Sequence, residues 1–327
     1  MDIYPIPAQS LERYYHINGK QLERHYKEHL SDFSTWSEKD HAEEYLIFPE
    51  NIGKNISIDE TSFSDGDLYT IVTNKDKKCQ KNSLIAIVEG TESKKVIEAL
   101  NKIPKEQRDK VKEATLDMSN SMDKIIRQSF TEADLVIDRF HVQMLVNDAI
   151  QELRIKHRWE ALDEENKQKE QAKTENKKYI PEILENGDTK KQLLVRSRYL
   201  LFKSGDKWTE KQKIRAKILF ELYPEIAKAY SIAHSLRIIY SKPHDKESGK
   251  ESIKRWYKKI EKTNIPSLKT IAKTVQKNED EIVNYFINRS TNASAESFNA
   301  KIKFFRATLR GVTDKKFFLV RLSKIYT

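Results

Sequence analysis

Apolar residues change their spacing near residue 55 of the chain. Before that point they recur every three or four positions, which predicts short helices on either side of an Asn18-Gly19 turn. After it the spacing is strand-like: Ile56 and Ile58 alternate with polar residues, and the segments 68–72 and 84–88 follow after polar turns at Ser64-Asp65-Gly66 and Asn74-Lys75-Asp76. The sequence therefore predicts a helical arm followed by three antiparallel strands.

The next segments alternate between helical and strand patterns. A helix is predicted at about 92–102, a strand ending at Ala114-Thr115-Leu116-Asp117, a helix at about 120–129 and a strand at 135–138. The resulting order is βββαβαβ. Three antiparallel strands continued by βα units form a mixed sheet covered by helices, as in ribonuclease-H-like cores. We therefore expect an α/β protein of this class.

Residues 141–287 have helical periods and little strand pattern, apart from short ambiguous runs such as Leu193-Leu194-Val195. The stretch Asp163 to Lys178 is nearly all charged or amide residues, which indicates a solvated helix or a linker. We expect four segments: a helical arm at 1–50, the first part of the core at 51–140, a helical insertion at 141–287, and a C-terminal catalytic helix with a basic tail at 288–327.

Positive charge is concentrated in the second half of the chain. The net charge is +10. Residues 181–275 contain 22 basic and 11 acidic side chains, and residues 301–327 contain 8 and 1. Residues 1–50 contain 5 basic and 10 acidic side chains. Phosphate neutralisation supplies most non-specific DNA affinity, so this pattern favours a packing role for the arm over a truncated helix-turn-helix.

The composition also restricts the compartment and the kinds of site. The single cysteine, Cys79, excludes an internal disulfide framework and zinc sites built from several thiolates, and it fits a reducing cytoplasm. No apolar run approaches the roughly 20 residues that span a bilayer, and the start Met1-Asp2 lacks a signal-peptide pattern. We expect a cytoplasmic protein without a membrane partner, associated with the nucleoid when bound to DNA.

Two aspartates, Asp59 and Asp117, each stand at the end of an apolar strand segment. In neighbouring strands this arrangement places two carboxylates side by side, which suits a hard divalent cation such as Mg²⁺. An aspartate at a strand end is more often a turn or capping residue. The two positions alone therefore leave a structural role open.

The segment 292–310 supplies a third carboxylate. At about 100° per residue, Phe298, Ile302, Phe305 and Leu309 fall on one face of a helix. Almost opposite them lie Glu296, Asn299, Lys303, Arg306 and Arg310. Such a helix can pack through its aromatic residues and direct Glu296 towards a metal and its cations towards DNA. The alternative is a surface helix with a glutamate in its first turn, where the helix dipole favours negative charge.

Four motifs resemble, in order, those of DDE transposases of the ISL-three insertion-sequence group. They are Ile58-Asp59-Glu60, Leu116-Asp117-Met118-Ser119, Asp138-Arg139-Phe140-His141-Val142, and Asn292 through Lys303 followed by Arg306 and Gly311. The resemblance covers roughly residues 45–327. The interval of 179 positions from Asp117 to Glu296 matches a family fold in which helices interrupt the ribonuclease-H-like core.

The resemblance implies a catalytic triad of Asp59, Asp117 and Glu296 that binds two Mg²⁺ ions, for which Mn²⁺ can substitute. It implies strand cleavage followed by attack of a DNA 3′-hydroxyl on target DNA. Residues expected to support the metal ligands without being in the triad are Asp138, His141, Asn292 and Asn299. Residues expected to contact DNA are Lys301, Lys303, Arg306, Arg310 and Arg321.

The chain departs from the family pattern at its start. Many of these transposases begin with a cysteine-rich zinc-binding segment and a helix-turn-helix, whereas this chain has one cysteine and an acidic start. We expect a separate small DNA-binding protein, or a truncated copy, to explain this difference. The expected partners are insertion-sequence ends, target DNA and further copies of the chain in the DNA complex. The alternative functions are a structure-selective nuclease or resolvase, and a non-catalytic DNA-binding remnant.

Overall fold

The computed structural model describes residues 1–63 and 66–327. The chain folds into two compact units. The first unit contains Met1–Asp138 and Asn288–Thr327, and the second contains Arg139–Ile287. The predicted turn Ser64-Asp65-Gly66 lies partly outside the described residues, since Ser64 and Asp65 do not belong to them.

A mixed sheet forms the centre of the first unit. Within the described residues its six strands are β1 Tyr45–Ile47, β2 Asn55–Thr61, β3 Tyr69–Asn74, β4 Leu84–Glu89, β5 Glu113–Leu116 and β6 Asp134–Ile137. Their order across the sheet is β1-β4-β3-β2-β5-β6. The pairs β1–β4, β3–β4 and β2–β3 are antiparallel, whereas β2–β5 and β5–β6 are parallel.

Helices precede, connect and follow these strands. In the part of the first unit before the second unit, they are α1 Gln9–Tyr15, α2 Gly19–His25, α3 Ser93–Leu100, α4 Lys105–Arg108 and α5 Asn120–Ser129. Those of the second unit are α6 Arg139–Thr174, α7 Lys190–Arg196, α8 Glu210–Leu222, α9 Pro224–Ser241, α10 Lys246–Glu261, α11 Pro266–Lys277, α12 Glu279–Val283 and α13 Tyr285–Asn288, whose last residue belongs to the first unit. The first unit ends with α14 Ala293–Thr308 and α15 Lys315–Tyr326.

The mixed sheet with many helices agrees with the predicted α/β class. The strand β1 was not predicted, because its three residues are too short for a periodic signal and form a strand through pairing with β4, Leu46 opposite Ile87. The charged stretch after Asp163 continues α6 to Thr174, and the ambiguous run Leu193-Leu194-Val195 lies in α7.

Each face of the sheet is covered by its own helices. Successive side chains of a strand point to opposite faces. On one face, Ile56, Ile58 and Leu116 belong to an apolar cluster that includes residues of α3 and α5. On the other, Ile71 and Ile87 belong to a cluster with Phe298, Ile302 and Phe305 of α14 and with residues of α15. The predicted aromatic face of α14 is thus buried, and this face holds the helix against the sheet.

The N-terminal segment packs on α15. Tyr26 and Phe33 form a small apolar cluster with Phe317 and Val320. Arg321 is 1% exposed and donates from Nη2 to the carbonyl oxygen of Ile6 at 2.9 Å. This hydrogen bond offsets part of the cost of burying the guanidinium, whose Nε has no hydrogen-bond partner. In the described part of the chain, no helix is both long and apolar enough to cross a bilayer.

The second unit is a helical bundle with its own core. Trp256 is 1% exposed and donates from Nε1 to the carbonyl oxygen of Ile232 at 3.0 Å. Helices α7 and α8 both begin with a capping box, formed by Thr189 with Gln192 and by Thr209 with Gln212. These local signals fix where two of the helices begin.

Candidate active site

Asp59, Asp117 and Asp138 lie at equivalent positions along the neighbouring strands β2, β5 and β6. The parallel register pairs Ser57 with Thr115, and Thr115 with Val136. Two residues further along each strand are the three aspartates, and neighbouring strands lie about 4.8 Å apart. The backbone N–H of Asp138 donates to the carbonyl oxygen of Leu116 at 3.0 Å, so the alignment of β5 and β6 continues to this level.

Asp59 does not end its strand, contrary to the prediction. The strand β2 continues to Thr61, and Asp59 pairs with Ile71 of β3. The reason is that β2 is longer than its parallel neighbour β5, which ends at Leu116. The strand β2 therefore continues past the end of β5, so Asp59 still lies at the edge where Asp117 follows β5.

Asn299 of α14 holds the Asp59 carboxylate. Its Nδ2 donates to Asp59 Oδ2 at 2.7 Å and to the carbonyl oxygen of Glu60 at 3.1 Å. The other oxygen, Oδ1 of Asp59, accepts from the backbone N–H of Glu60 at 2.8 Å. Asn299 is 6% exposed, so it borders the buried face of α14 and does not share the exposed face on which the sequence placed it. Its amide fixes the orientation of Asp59.

Asn292 holds the other two aspartates. It directly precedes α14, and its side chain does not cap the helix. Its Nδ2 instead donates to Asp117 Oδ1, and its backbone N–H donates to Asp138 Oδ2, each at 3.2 Å. Asn292 is fully buried, and its Oδ1 has no hydrogen-bond partner. The residue that bonds to both carboxylates thus also carries a buried acceptor without a partner.

Glu296 lies in the first turn of α14 and is exposed. One of its carboxylate oxygens is within 4.8 Å of an oxygen of Asp138, a residue that is 2% exposed. His141 is three residues after Asp138, in the first turn of α6. Among the described residues, the group of three or more potential ligands that all lie within 4.8 Å of one another includes Asp138 and Glu296 but neither Asp59 nor Asp117.

The family model of the ISL-three DDE enzymes, described as transposase, matches residues 56–322. This chain is a DDE transposase of the ISL-three group. It is therefore a DNA transposase, and the nuclease or resolvase and remnant alternatives are not favoured. The match runs from β2 into α15 and so includes every residue of the candidate site. No curated protein gives a significant match to the chain.

The transposase crowds negative charge at this edge of the sheet. Partial desolvation and, after it, the nearby charge of Asp117 raise the pKa of Glu60, which directly follows Asp59. Glu60 is thus a further carboxylate within electrostatic reach of the aspartates. Glu60 belongs to one of the sequence motifs. The sequence nevertheless gives no signal that Glu60 lies near Asp117, because Glu60 is in β2 and Asp117 follows β5.

An ion-paired network anchors the chain just before α14. Glu113 of β5 accepts from Lys75 Nζ at 3.1 Å and from Asn288 Nδ2 at 3.0 Å. Burial acts to raise the pKa of Glu113, but hydrogen bonds from Ser290 and Asn288 and the charge of Lys75 outweigh it and lower that pKa. The sequence contains no local signal for this network, because its members lie in three distant segments of the chain. The network ties residues 288–290 to the sheet and thereby positions Asn292.

The predicted DNA contacts of the transposase fall into two groups. Lys303 and Arg310 are exposed, and Arg306 is half-buried. Lys301 instead donates to the carbonyl oxygen of Cys79 at 2.6 Å and lies over the Tyr326 ring. Arg321 is buried in the packing of the N-terminal segment, where its guanidinium is not available to DNA phosphates, so we exclude it from the DNA-contacting residues.

Proposed function

We propose that Asp59, Asp117 and Glu296 form the metal-binding catalytic triad of this transposase, on a βββαβαβ ribonuclease-H-like core interrupted by the helical second unit. One observation carries the proposal. Asn299 lies in α14, and Asn292 directly precedes this helix. Each donates a side-chain N–H to one aspartate: Asn299 to Asp59, and Asn292 to Asp117. The helix that supplies Glu296 is therefore bonded to both of the other proposed ligands.

The residues present fit a hard divalent cation. Carboxylate and amide oxygens are the ligands that Mg²⁺ prefers. The buried Oδ1 of Asn292, which accepts no hydrogen bond, is the kind of acceptor that a bound cation or its water would satisfy. Two bound Mg²⁺ ions about 3.5–4 Å apart would stabilise the attacking and leaving oxygens of an in-line phosphoryl transfer, and Mn²⁺ can substitute.

The side chains around the triad orient it and neutralise the DNA. Asn299 and Asn292 fix the carboxylates of Asp59 and Asp117, so that little reorganisation is needed when substrate binds. Lys303 lies two turns after Glu296 on the exposed side of α14, where its ammonium can contact a phosphate next to the scissile bond. Asp138 and His141 support the ligands from the end of β6 and the start of α6.

The reaction that we propose has two steps. Water attacks a phosphodiester at the end of the element and breaks its P–O3′ bond, which leaves a 5′-phosphate and a free 3′-hydroxyl. This 3′-hydroxyl then attacks a phosphodiester of the target DNA, forms a new P–O3′ bond and displaces a 3′-hydroxyl of the target strand. We further propose that a separate small DNA-binding protein supplies recognition of the element ends and that several copies of the chain act together on the DNA. The cellular setting in this proposal is the bacterial cytoplasm, at the nucleoid.

Isosteric variants test the triad. Asp59→Asn, Asp117→Asn and Glu296→Gln each keep side-chain shape but remove a negative ligand, so each should abolish Mg²⁺-dependent cleavage and strand transfer while DNA binding is retained. Glu106→Gln is the matched control, because Glu106 is an exposed carboxylate on α4, before the opposite end of β5. Cleavage at the wild-type rate by any of the three variants would remove that residue from the triad.

A further inference from the structure

Two exposed aromatic side chains of the second unit each stand next to an exposed arginine. Trp159 on α6 is 57% exposed, and Tyr199, three residues after the end of α7, is 67% exposed. Arg158 and Arg198, their neighbours in sequence, are also exposed. We call these four residues the arginine–aromatic surface.

Hydrogen bonds hold the two segments of this surface together. Gln151 of α6 donates from Nε2 to the carbonyl oxygen of Arg198 at 3.3 Å. Arg154, one turn before Arg158, donates from Nη1 to the carbonyl oxygen of Leu194 at 3.0 Å and is 5% exposed. The C-terminal end of α7 therefore rests on α6 in a fixed position, which places Arg198 beside the row of Arg154 and Arg158.

Three positively charged arginine side chains lie near one another at this surface. Burial and, after it, the charges of Arg198 and Arg158 lower the pKa of Arg154, which shows that the three guanidinium groups lie within electrostatic reach of one another. No carboxylate in the described ranges forms a salt bridge with any of these arginines. Because like charges repel, such a cluster favours an anionic partner.

Each exposed ring lies next to the guanidinium group of the arginine that precedes it in the sequence. The Arg158 guanidinium carbon lies 5.9 Å from the centroid of the Trp159 ring, and that of Arg198 lies 5.3 Å from the centroid of the Tyr199 ring. Each pair presents a flat apolar face next to a positive charge. Exposed indole and phenol rings of this size are typical of binding surfaces, since water contact with them is unfavourable.

We propose that the arginine–aromatic surface binds unpaired nucleotides of the DNA substrate, with the guanidinium groups on phosphates and the Trp159 and Tyr199 rings stacked on bases. The inference rests on the proposed function in that cleavage and joining of DNA produce strand ends with unpaired bases. Duplex DNA would neutralise the arginines but leave the rings uncovered, because its bases are stacked inside the helix. A second copy of the chain would need to place carboxylates against both exposed arginines, Arg158 and Arg198.

The fluorescence of Trp159 tests this proposal directly. It is an exposed tryptophan, whereas Trp36 and Trp208 are partly buried and Trp256 is buried. We expect a single-stranded dT oligonucleotide to quench the wild-type protein, and a duplex of equal length or heparin to quench it much less. Trp159→Phe should remove most of the quenching but keep the affinity, measured by anisotropy of a labelled oligonucleotide.

Substitutions separate stacking from charge. Trp159→Ala and Tyr199→Ala should each weaken binding of the dT oligonucleotide about tenfold, within the range for loss of one stacked base. Lys258→Ala with Lys259→Ala removes two exposed cations elsewhere on the same unit, and Tyr14→Ala removes an exposed ring from the other unit. Both controls should keep the affinity within about twofold, and circular dichroism should show the wild-type fold for every variant.

Several outcomes would overturn the proposal. Equal quenching by duplex and single strand, or unchanged affinity in both alanine variants, would show that the surface does not hold unpaired bases. Loss of self-association in Trp159→Ala, with DNA affinity unchanged, would assign the surface to another copy of the chain. Failure of the proposed triad is distinguishable, because Asp117→Asn should keep the quenching whether or not it cleaves DNA.

Discussion

Asn299 donates its side-chain amide to the carboxylate of Asp59 at 2.7 Å, across 240 residues of sequence. The hydrogen bond joins α14, at the end of the chain, to β2, near the start of the sheet. Both residues belong to the first unit. The site therefore forms only when the chain returns from the helical second unit and α14 packs on the sheet.

Substitution of Asn299 should impair catalysis more than folding. Asn299→Ala removes the donor that orients Asp59, and we expect cleavage to fall about 10- to 100-fold, as for other residues that hold metal ligands. Asn299→Asp should be worse, because it places a second negative charge against Asp59. Asn166→Ala, at an exposed position of α6, is the control and should cleave at the wild-type rate. An Asn299→Asp variant as active as Asn299→Ala would contradict the orienting role. Single-turnover cleavage against Mg²⁺ concentration measures the effect.

Mg²⁺ should stabilise the folded protein through the same residues. A ligand that binds only the folded state adds roughly 2.7 kcal/mol of stability at 100 times its Kd. We expect Mg²⁺ to raise the melting temperature of the wild type, and to raise it less in Asp117→Asn and Asn292→Ala. Differential scanning fluorimetry with and without Mg²⁺ measures the shift. Glu106→Gln should keep the wild-type shift, and a full shift in Asn292→Ala would show that its amide does not contribute to the site.

The Glu113 network should make stability depend on acid pH. The pKa of Glu113 in the folded protein lies below the ordinary value of 4.5, so its stabilisation is fully present above 4.5 and is lost as the pH falls through the folded pKa. Glu113→Gln should remove this component and leave Lys75 without its charge partner, at a cost of about 1–3 kcal/mol at pH 7. Urea unfolding at pH 7 and pH 4 provides the comparison. An unchanged free energy of unfolding at pH 7 would show that the network does not stabilise the unit.

The basic end of α14 should contribute to DNA affinity. Reversing Lys303, Arg306 and Arg310 to Glu should weaken DNA binding and lower the slope of log affinity against log salt by about 0.9 for each phosphate that is no longer neutralised. The control reverses Arg13, Lys20 and Arg24, which are exposed on the N-terminal segment, and should have a much smaller effect. A salt titration of both triple variants on element-end and scrambled duplexes measures this. Sequence preference lost only in the control variant would instead assign DNA recognition to the N-terminal segment.

The sequence predicted those parts of the fold that have a local periodic signal. The strands around Asp59 and Asp117 alternate, and the apolar positions of α14 recur at helical spacing, so the prediction agrees with the structure there. The strand β1 and the extension of β2 past Asp59 depend on pairing with distant strands. Patterns within one segment do not contain that information.

Side-chain partners were the least predictable part of the site. Asn299 lies at the border of two helix faces, and only packing against the sheet turns it towards Asp59. Arg321 has the sequence features of a DNA-binding residue but is buried by the N-terminal segment. The arginine–aromatic surface requires the end of α7 to rest on α6, about 40 residues earlier in the chain. Each depends on tertiary packing between distant segments.

The most direct test of the proposed triad is the position of bound metal. We predict that a crystal structure with element-end DNA and Mn²⁺ shows, by anomalous scattering, two ions about 3.5–4 Å apart with oxygens of Asp59, Asp117 and Glu296 as ligands. The ions should be absent from Asp117→Asn crystals prepared in the same way. Ions bound by Asp138 and Glu296 without Asp59 or Asp117 would contradict the triad and move the catalytic centre to the end of β6.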